Sequence, residues 1–212
     1  MTRPVVLLGA GGHARVIAAA LRASGHDIAA VAAPEAADTL ARTLGVRAMA
    51  DDEAVFALDP GRVELVVAVG MLSPSPLRRR LFDRFRAAGF RFARVVHPRA
   101  IVDEDVVLGE GSVVMAGAIV QTGCRIGDNA IINSGGVVDH DCLIGAHAHL
   151  ATGCVLAGGV QVGEGALIGA GATVIQSLSI GAAALVAAGA VVTRDIASGE
   201  RVGGVPARPL CV

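Results

Sequence analysis

From Val102 onward, every sixth residue is aliphatic. Val102, Leu108, Val114, Val120, Ile126, Ile132, Val138, Ile144, Leu150, Leu156, Val162, Ile168, Val174, Ile180, Val186 and Val192 make sixteen consecutive hits on one period. Four residues after most of them comes a small residue, as at Ser112, Ala118, Cys124, Ala130, Gly136, Cys142, Ala148 and Cys154; Val160, Leu178 and Ile196 are exceptions. Glycine often follows the aliphatic residue directly, as at Gly109, Gly127, Gly145, Gly163, Gly169 and Gly181. A six-residue period fits neither the 3.6 of a helix nor the 2 of a single strand. It predicts a parallel β-helix, in which each hexad is one short strand and one turn. Three hexads close a triangular coil of about eighteen residues, and coils stack at the ordinary strand spacing of roughly 4.8 Å. Backbone hydrogen bonds then run between coils, so each coil depends on its neighbours.

The first half of the chain has a different rhythm. Apolar runs at 4–8, 27–32, 63–69 and 90–96 predict strands, and helices are predicted to about Ser24, over 36–43, over 51–58 and over 77–88. Alternating strands and helices predict a small parallel α/β domain. His97-Pro98 marks the junction, because the residue before proline is driven to extended geometry. The domains are therefore read as 1–96 and 97–212, the second ending in a tail, GGVPARPLCV, that breaks the six-residue phase.

Composition narrows the function classes. Hydrophobic residues make up 53% and aromatic ones only 2%, which suits a thin coil interior filled by Val, Ile, Ala and Gly. The formal charge of −1 gives no electrostatic case for nucleic acid. No apolar run reaches the ~18 residues of a membrane span. The apolar start reads as a strand and glycine turn rather than a signal peptide, and a cytoplasmic protein is expected. Of the cysteines, Cys124, Cys142 and Cys154 occupy the small position of the repeat and are read as core packing; with Cys211 they show no metal or disulfide spacing.

Two stretches carry chemistry. Gly9, Gly11 and Ala14 match G-x-G-x-x-[G/A] between a strand and a helix. Such glycines admit a diphosphate to the backbone, and the helix N-terminus favours its charge. An NAD site wants an acid after the second strand; Ala32-Ala33-Pro34 stands there, with only Glu35 nearby, so another nucleotide diphosphate fits better. A purely structural turn is the alternative. His13 lies on the rim of this loop, either to touch phosphate or sugar or merely to start the helix.

The second stretch is DHDCLIGAHAH. His140 stands between Asp139 and Asp141. Neighbouring carboxylates favour the protonated imidazole and suit general-base work; a solvated turn histidine is the plain alternative. Gly158 is eighteen residues on and stacks over His140, leaving room beside the ring. His149 is nine residues on, half a coil away, so the two histidines cannot share a pocket within one chain. If both act, sites lie between subunits, and a three-sided prism suits a trimer. Zinc is a rival use for histidines here, but the pair His147 and His149, two apart, lacks the three-histidine pattern, and no metal is expected.

GAGGHARV, VVHPRA, the hexad array, VVDHDCLIGAHAHLATG and GVPARPL together resemble the bacterial nucleotide-sugar acyltransferases. That group includes the sialic-acid O-acetyltransferase-like proteins and the N-acetyltransferases of N-acetylbacillosamine and N-acetylperosamine precursors. The resemblance covers essentially the whole chain. It implies a Rossmann-like α/β domain followed by a left-handed β-helix, and acetyl-CoA as co-substrate. It implies transfer to the amino group of a UDP- or GDP-linked 4-amino-4,6-dideoxy sugar for surface glycan synthesis. O-acetylation of a sugar hydroxyl, or nucleotide-sugar binding without catalysis, are the alternatives. It also implies roles. His140 is the general base of a direct transfer, and Asp141 supports it. Gly11, Gly12 and His13 hold the nucleotide sugar, and Asn133 contacts the sugar. His149, Gly158, Ala170 and Ala188 line acetyl-CoA. Ala33-Pro34 and the loop VGMLSPSP depart from the family's pattern, where the base and ribose are expected.

Overall fold

The computed structural model describes residues 3–210 apart from residues 36, 72 and 74; Cys211 lies outside the described residues. The N-terminal domain is a five-stranded parallel sheet of β1 (Val5–Leu8), β2 (Ile28–Ala32), β3 (Arg47–Met49), β4 (Glu64–Val67) and β5 (Arg91–Phe92), in the order β3-β2-β1-β4-β5. Its helices are α1 (Gly12–Ala23), α2 (Ala37–Leu44), α3 (Asp52–Phe56) and α4 (Leu77–Ala87). The continuous apolar run VVLL becomes the central strand because both of its faces are covered, and all four residues are at most 1% exposed.

Two boundaries differ from the sequence reading. Strand β3 is not predicted, because RAM shows no alternation and buries only Met49; it exists as an edge strand paired with β2, Ala30 opposite Arg47. The run FRFARVV is not one strand. Phe92 pairs with β4, whereas β6 (Val95–Val96) pairs with β9 (Val113–Val114), one coil along. The coil therefore begins before the expected junction at 96/97, since no turn residue announces the change of sheet.

From β6 to β22 (Val191–Val192) the chain makes two-residue strands at hexad spacing, in three parallel sheets. One coil contains β12 (Ile131–Ile132) on the first face, β13 (Val137–Val138) on the second and β14 (Leu143–Ile144) on the third. Register is eighteen residues throughout, as in Ile119 with Val137 and Val137 with Val155. Val114, Ile132, Leu150, Ile168 and Val186 point inward with no exposure, as do the small residues Ala118, Ala130, Cys142, Ala148 and Ala166. The glycine that follows an aliphatic residue has a steric cause. A Cβ on Gly127, Gly145 or Gly163 would lie 2.5, 2.6 or 2.4 Å from a backbone nitrogen of the next coil. The described cysteines are free and buried. Burial pushes the thiols of Cys142 and Cys154 up to about 12, so they pack rather than react.

The α/β domain sits on the first face. Ile17 and Leu21 of α1 share one core with Val95, Val113, Met115 and Ile131 of the coil. Phe82 of α4 packs edge-on against His147, with ring centres 5.5 Å apart. On the second face the outward column of Ile101, Ile119, Val137 and Val155 is left open, Ile101 being 61% exposed. Because the interior is one layer of aliphatic side chains with no slack, Ile168→Ala is expected to cost about 2–5 kcal/mol of stability. Urea unfolding measures it, and an unchanged midpoint would contradict single-layer packing.

Candidate active site

Strands β1 and β4 are neighbours whose connections leave on opposite sides, and the crevice at their carboxyl ends is where such sheets bind ligands. The glycine loop lies there. Gly9 has φ +120°, and a Cβ on it would sit 3.0 Å from Val69 Cγ2. Helix α1 starts at Gly12 with no side-chain cap and no acid in its first turn, so its leading N–H groups are available to an anion. A cavity of about 440 Å3 opens between Gly9–His13, Ala68–Met71 and His149. Ala33, at the end of β2, is buried and carries no carboxylate toward it.

His149 enters this cavity from the coil. It points outward from β15 (His149–Leu150) on the first face and is only 5% exposed. Its ring centre lies 6.1 Å from that of His13. Asn133, on the coil below, stands 3.4 Å from His149 Nε2 and accepts a 2.8 Å hydrogen bond from the Ser134 N–H. Burial, reinforced by the nearby Arg78 cation, holds His13 down at about 4 and His149 at about 3. Both imidazoles are therefore neutral near pH 7 and act as hydrogen-bonding groups, not bases that take up a proton.

His140 has the opposite environment. It lies on the edge between the second and third faces, with its side chain 58% exposed. Its Nδ1 is 2.9 Å from Asp141 Oδ2. That hydrogen bond, then the charge of Asp139, raises its basicity above the usual histidine value. The other nitrogen lies directly over Gly158, where a Cβ would be 2.4 Å from Nε2. A side chain at this position would displace the ring from where it lies, so glycine leaves the space it occupies, as the eighteen-residue register predicts. Asp141 adopts φ 59°, a left-handed conformation that aspartate tolerates better than most residues. Its carboxylate overhangs Gly123, where a Cβ would be 2.5 Å from Oδ1. Sequence reading missed Gly123, although the same count of eighteen, taken backward from Asp141, locates it.

The chain thus gathers the expected residues into two groups. Gly11, Gly12, His13, Asn133 and His149 surround or border the crevice at the domain junction. His140, Asp141 and Gly158 form the group on the far edge. Ala170 and Ala188 stack one coil apart on the edge between the first and second faces, linked through the Gly189 N–H to Ala170 carbonyl bond of 2.8 Å. One chain does not bring them to the edge that holds Gly158. Also unanticipated was Arg78, only 2% exposed, whose charge bears on both His13 and His149. Its run of arginines looks like a solvated helix face, and nothing in the pattern singles it out. Among the described residues, no group of three or more His, Cys, Asp or Glu side chains is placed to hold a metal ion.

The arrangement has close relatives. The family model described as PglD N-terminal domain matches residues 4–85, and the bacterial transferase hexapeptide model (six repeats) matches residues 105–140 and 141–176. No curated protein matches by sequence. PerB from Caulobacter crescentus, solved with CoA and GDP-perosamine, is 44% identical with a TM-score of 0.90, over 98% of this chain and 97% of that one. Variants of that perosamine N-acetyltransferase with one histidine changed to asparagine or alanine superpose equally well, with TM-scores of 0.91. The acetyltransferase domain of PglB from Neisseria gonorrhoeae is 33% identical, with a TM-score of 0.89 over 99% of this chain and 100% of that domain; it has also been solved with acetyl coenzyme A. With these identities running the length of both domains, the chain belongs to the hexapeptide-repeat acyltransferases that carry a PglD-type N-terminal domain.

Proposed function

We propose that the protein acetylates the amino group of a nucleotide-linked 4-amino-4,6-dideoxy sugar, UDP- or GDP-linked, for surface glycan synthesis. The observation that carries this reading is the His140–Asp141 pair, seated over Gly158 with one imidazole nitrogen held and the other free. The likeness to a protein solved with CoA and GDP-perosamine supports the choice of acceptor. Acetyl-CoA supplies the activated acyl group as a thioester. The glycine loop and the uncapped start of α1 take the diphosphate, with His13 donating or accepting hydrogen bonds beside it; neutral His149, which shares that crevice with His13, faces acetyl-CoA where the two co-substrates meet. His140 Nδ1–H donates to Asp141, which fixes the tautomer that leaves Nε2 able to take a proton. As the amine nitrogen bonds to the acetyl carbon, Nε2 receives the amine proton, and it returns that proton to the departing thiolate. The N–H of Gly158 makes no hydrogen bond among the described residues and is available to the oxygen that gains charge. An amine freed of its proton is nucleophile enough, so no acyl-enzyme is needed.

We further propose a homotrimer. His140 and His149 lie on different sides of one coil, and the open apolar column of Ile101, Ile119, Val137 and Val155 offers a face for a second copy. The crevice of one subunit then meets the His140 edge of its neighbour, and Gly158 of one meets Ala170 and Ala188 of another. The cytoplasm, where both co-substrates are made, is its proposed location. The expected mass in solution is three times that of one chain, and light scattering that gave a monomer would overturn the shared site.

Thiol release from acetyl-CoA, measured against GDP- and UDP-linked 4-amino sugars with hydroxy sugars as controls, tests the reaction. His140→Ala is expected to lose about 10²–10⁴ in kcat without unfolding, the usual contribution of a general base. Retained turnover would remove His140 from the mechanism. Asp141→Asn keeps the left-handed turn but removes the carboxylate that raises the basicity of His140. Because the active form is the deprotonated imidazole, activity rises with pH through the histidine's pKa. The acidic limb of kcat/KM is therefore expected to move to lower pH in this variant, with a lower plateau; an unmoved limb would show that Asp141 does not tune the base.

A further inference from the structure

Arg78 lies in the first turn of α4 and is buried without any carboxylate partner among its hydrogen bonds. Its guanidinium instead bridges two domains. Nη1 donates to the Val67 carbonyl at 2.8 Å and to the Val69 carbonyl at 2.5 Å, on the strand end and loop that line the crevice. Nη2 donates to the Asn129 carbonyl at 3.0 Å and to Asn129 Oδ1 at 2.7 Å, on a turn of the coil. Asn129 is itself fully buried, with φ 54°, and its amide lies 3.0 Å from His147 Nδ1, eighteen residues on. A planar fork of donors suits this geometry, whereas an ammonium cannot span it.

A buried cation held only by dipoles is a poor choice if the task is packing alone, because an apolar side chain of similar volume avoids the desolvation. Its surroundings suggest another task. Among the described residues, three buried side-chain nitrogens lack a hydrogen-bond partner: His13 Nε2, His149 Nδ1 and Arg78 Nε. Buried polar groups are ordinarily paired, so two such nitrogens on one crevice need an explanation. Two of them border the cavity, and the third belongs to the residue whose charge bears on both.

We propose that Arg78 is a positioning residue for nucleotide-sugar binding. By clamping the carbonyl end of β4 to the Asn129 turn, it sets the β4 loop, His13 and His149 at one fixed spacing. It acts through those groups rather than by touching substrate. The inference rests on the reading that the glycine loop holds the nucleotide sugar. It assigns a role to a residue outside both the glycine loop and the histidine segment.

The test uses the full-length protein. Arg78→Met removes the clamp, and Asn129→Gly removes one of the guanidinium's four acceptors, together with the amide beside His147, while keeping the left-handed backbone and the Asn129 carbonyl, so it remains informative if the first variant fails to fold. The KM for a GDP- or UDP-linked 4-amino sugar is expected to rise about tenfold to a hundredfold in Arg78→Met, the scale of a misplaced binding group, and less in Asn129→Gly. The KM for acetyl-CoA is expected to rise less than that for the nucleotide sugar, because Arg78 reaches the acetyl-CoA side through His149 alone. In a His13→Ala background, Arg78→Met is expected to add little, because the two act as a unit. A nucleotide-sugar KM unchanged in both variants, or a fall in kcat with both KM values intact, would reduce Arg78 to a structural role and overturn the proposal; so would fully additive effects with His13→Ala. Calorimetry with GDP and UDP alone separates this failure from that of the reading beneath it. Nucleotide binding without turnover by the wild type would overturn the proposed acceptor, and variant binding equal to wild type would overturn the role of Arg78. A wild type that binds no nucleotide would overturn both.

Discussion

Through most of the coil, from β6 to β22, each strand residue has another eighteen positions away stacked upon it, because parallel strands in adjacent coils sit one strand spacing apart with identical register. That constraint governs the rest of the molecule. It forces glycine at Gly127, Gly145 and Gly163, where any Cβ would strike the backbone of the next turn. It aligns the inward aliphatic residues into one column on each of the three faces, and the small residues into columns at the corners. It also makes local errors expensive, since no coil can relax without moving its neighbours.

The same stacking builds the proposed catalytic pair. His140 and Asp141 occupy an exposed corner, where charge is not penalised by burial, and each is accommodated by a glycine in an adjacent coil. The left-handed backbone at Asp141 turns its carboxylate back onto His140. The fold thus raises the basicity of one histidine on the solvated edge. It suppresses that of two others at the domain junction, where burial and a shared cation keep them neutral. Three histidines of one sequence type acquire two chemical roles from their surroundings alone.

The junction between domains is continuous rather than hinged. Apolar residues of α1 and of the first face form one core, and the polar seam beside it is bridged by Arg78, with exposed pairs such as Arg86 with Asp128 at 2.9 Å along its rim. Exposed pairs of that kind contribute little. The buried fork is the part of the seam that ties the crevice of the α/β sheet to a particular turn of the coil.

The period of six determined, from the sequence alone, a stacked coil, its eighteen-residue register and the glycine that lies against His140, because each is a matter of counting along a repeat. The alternation of strands and helices likewise determined the α/β domain, and a strand-glycine-helix order placed its ligand crevice. Counting failed where the pairing partner, not the local pattern, decides structure. RAM became strand β3 only because β2 offered it an edge, and Val95–Val96 joined the coil rather than the sheet that precedes it. Only the tertiary structure decided that His149 shares a crevice with His13 and that Arg78 is the buried member of an arginine-rich helix. The physical reason is that a repeat specifies which residues stack within one domain, but not which face the other domain covers. Burial by that second domain is what sets the charge state and the company of the residues on the covered face.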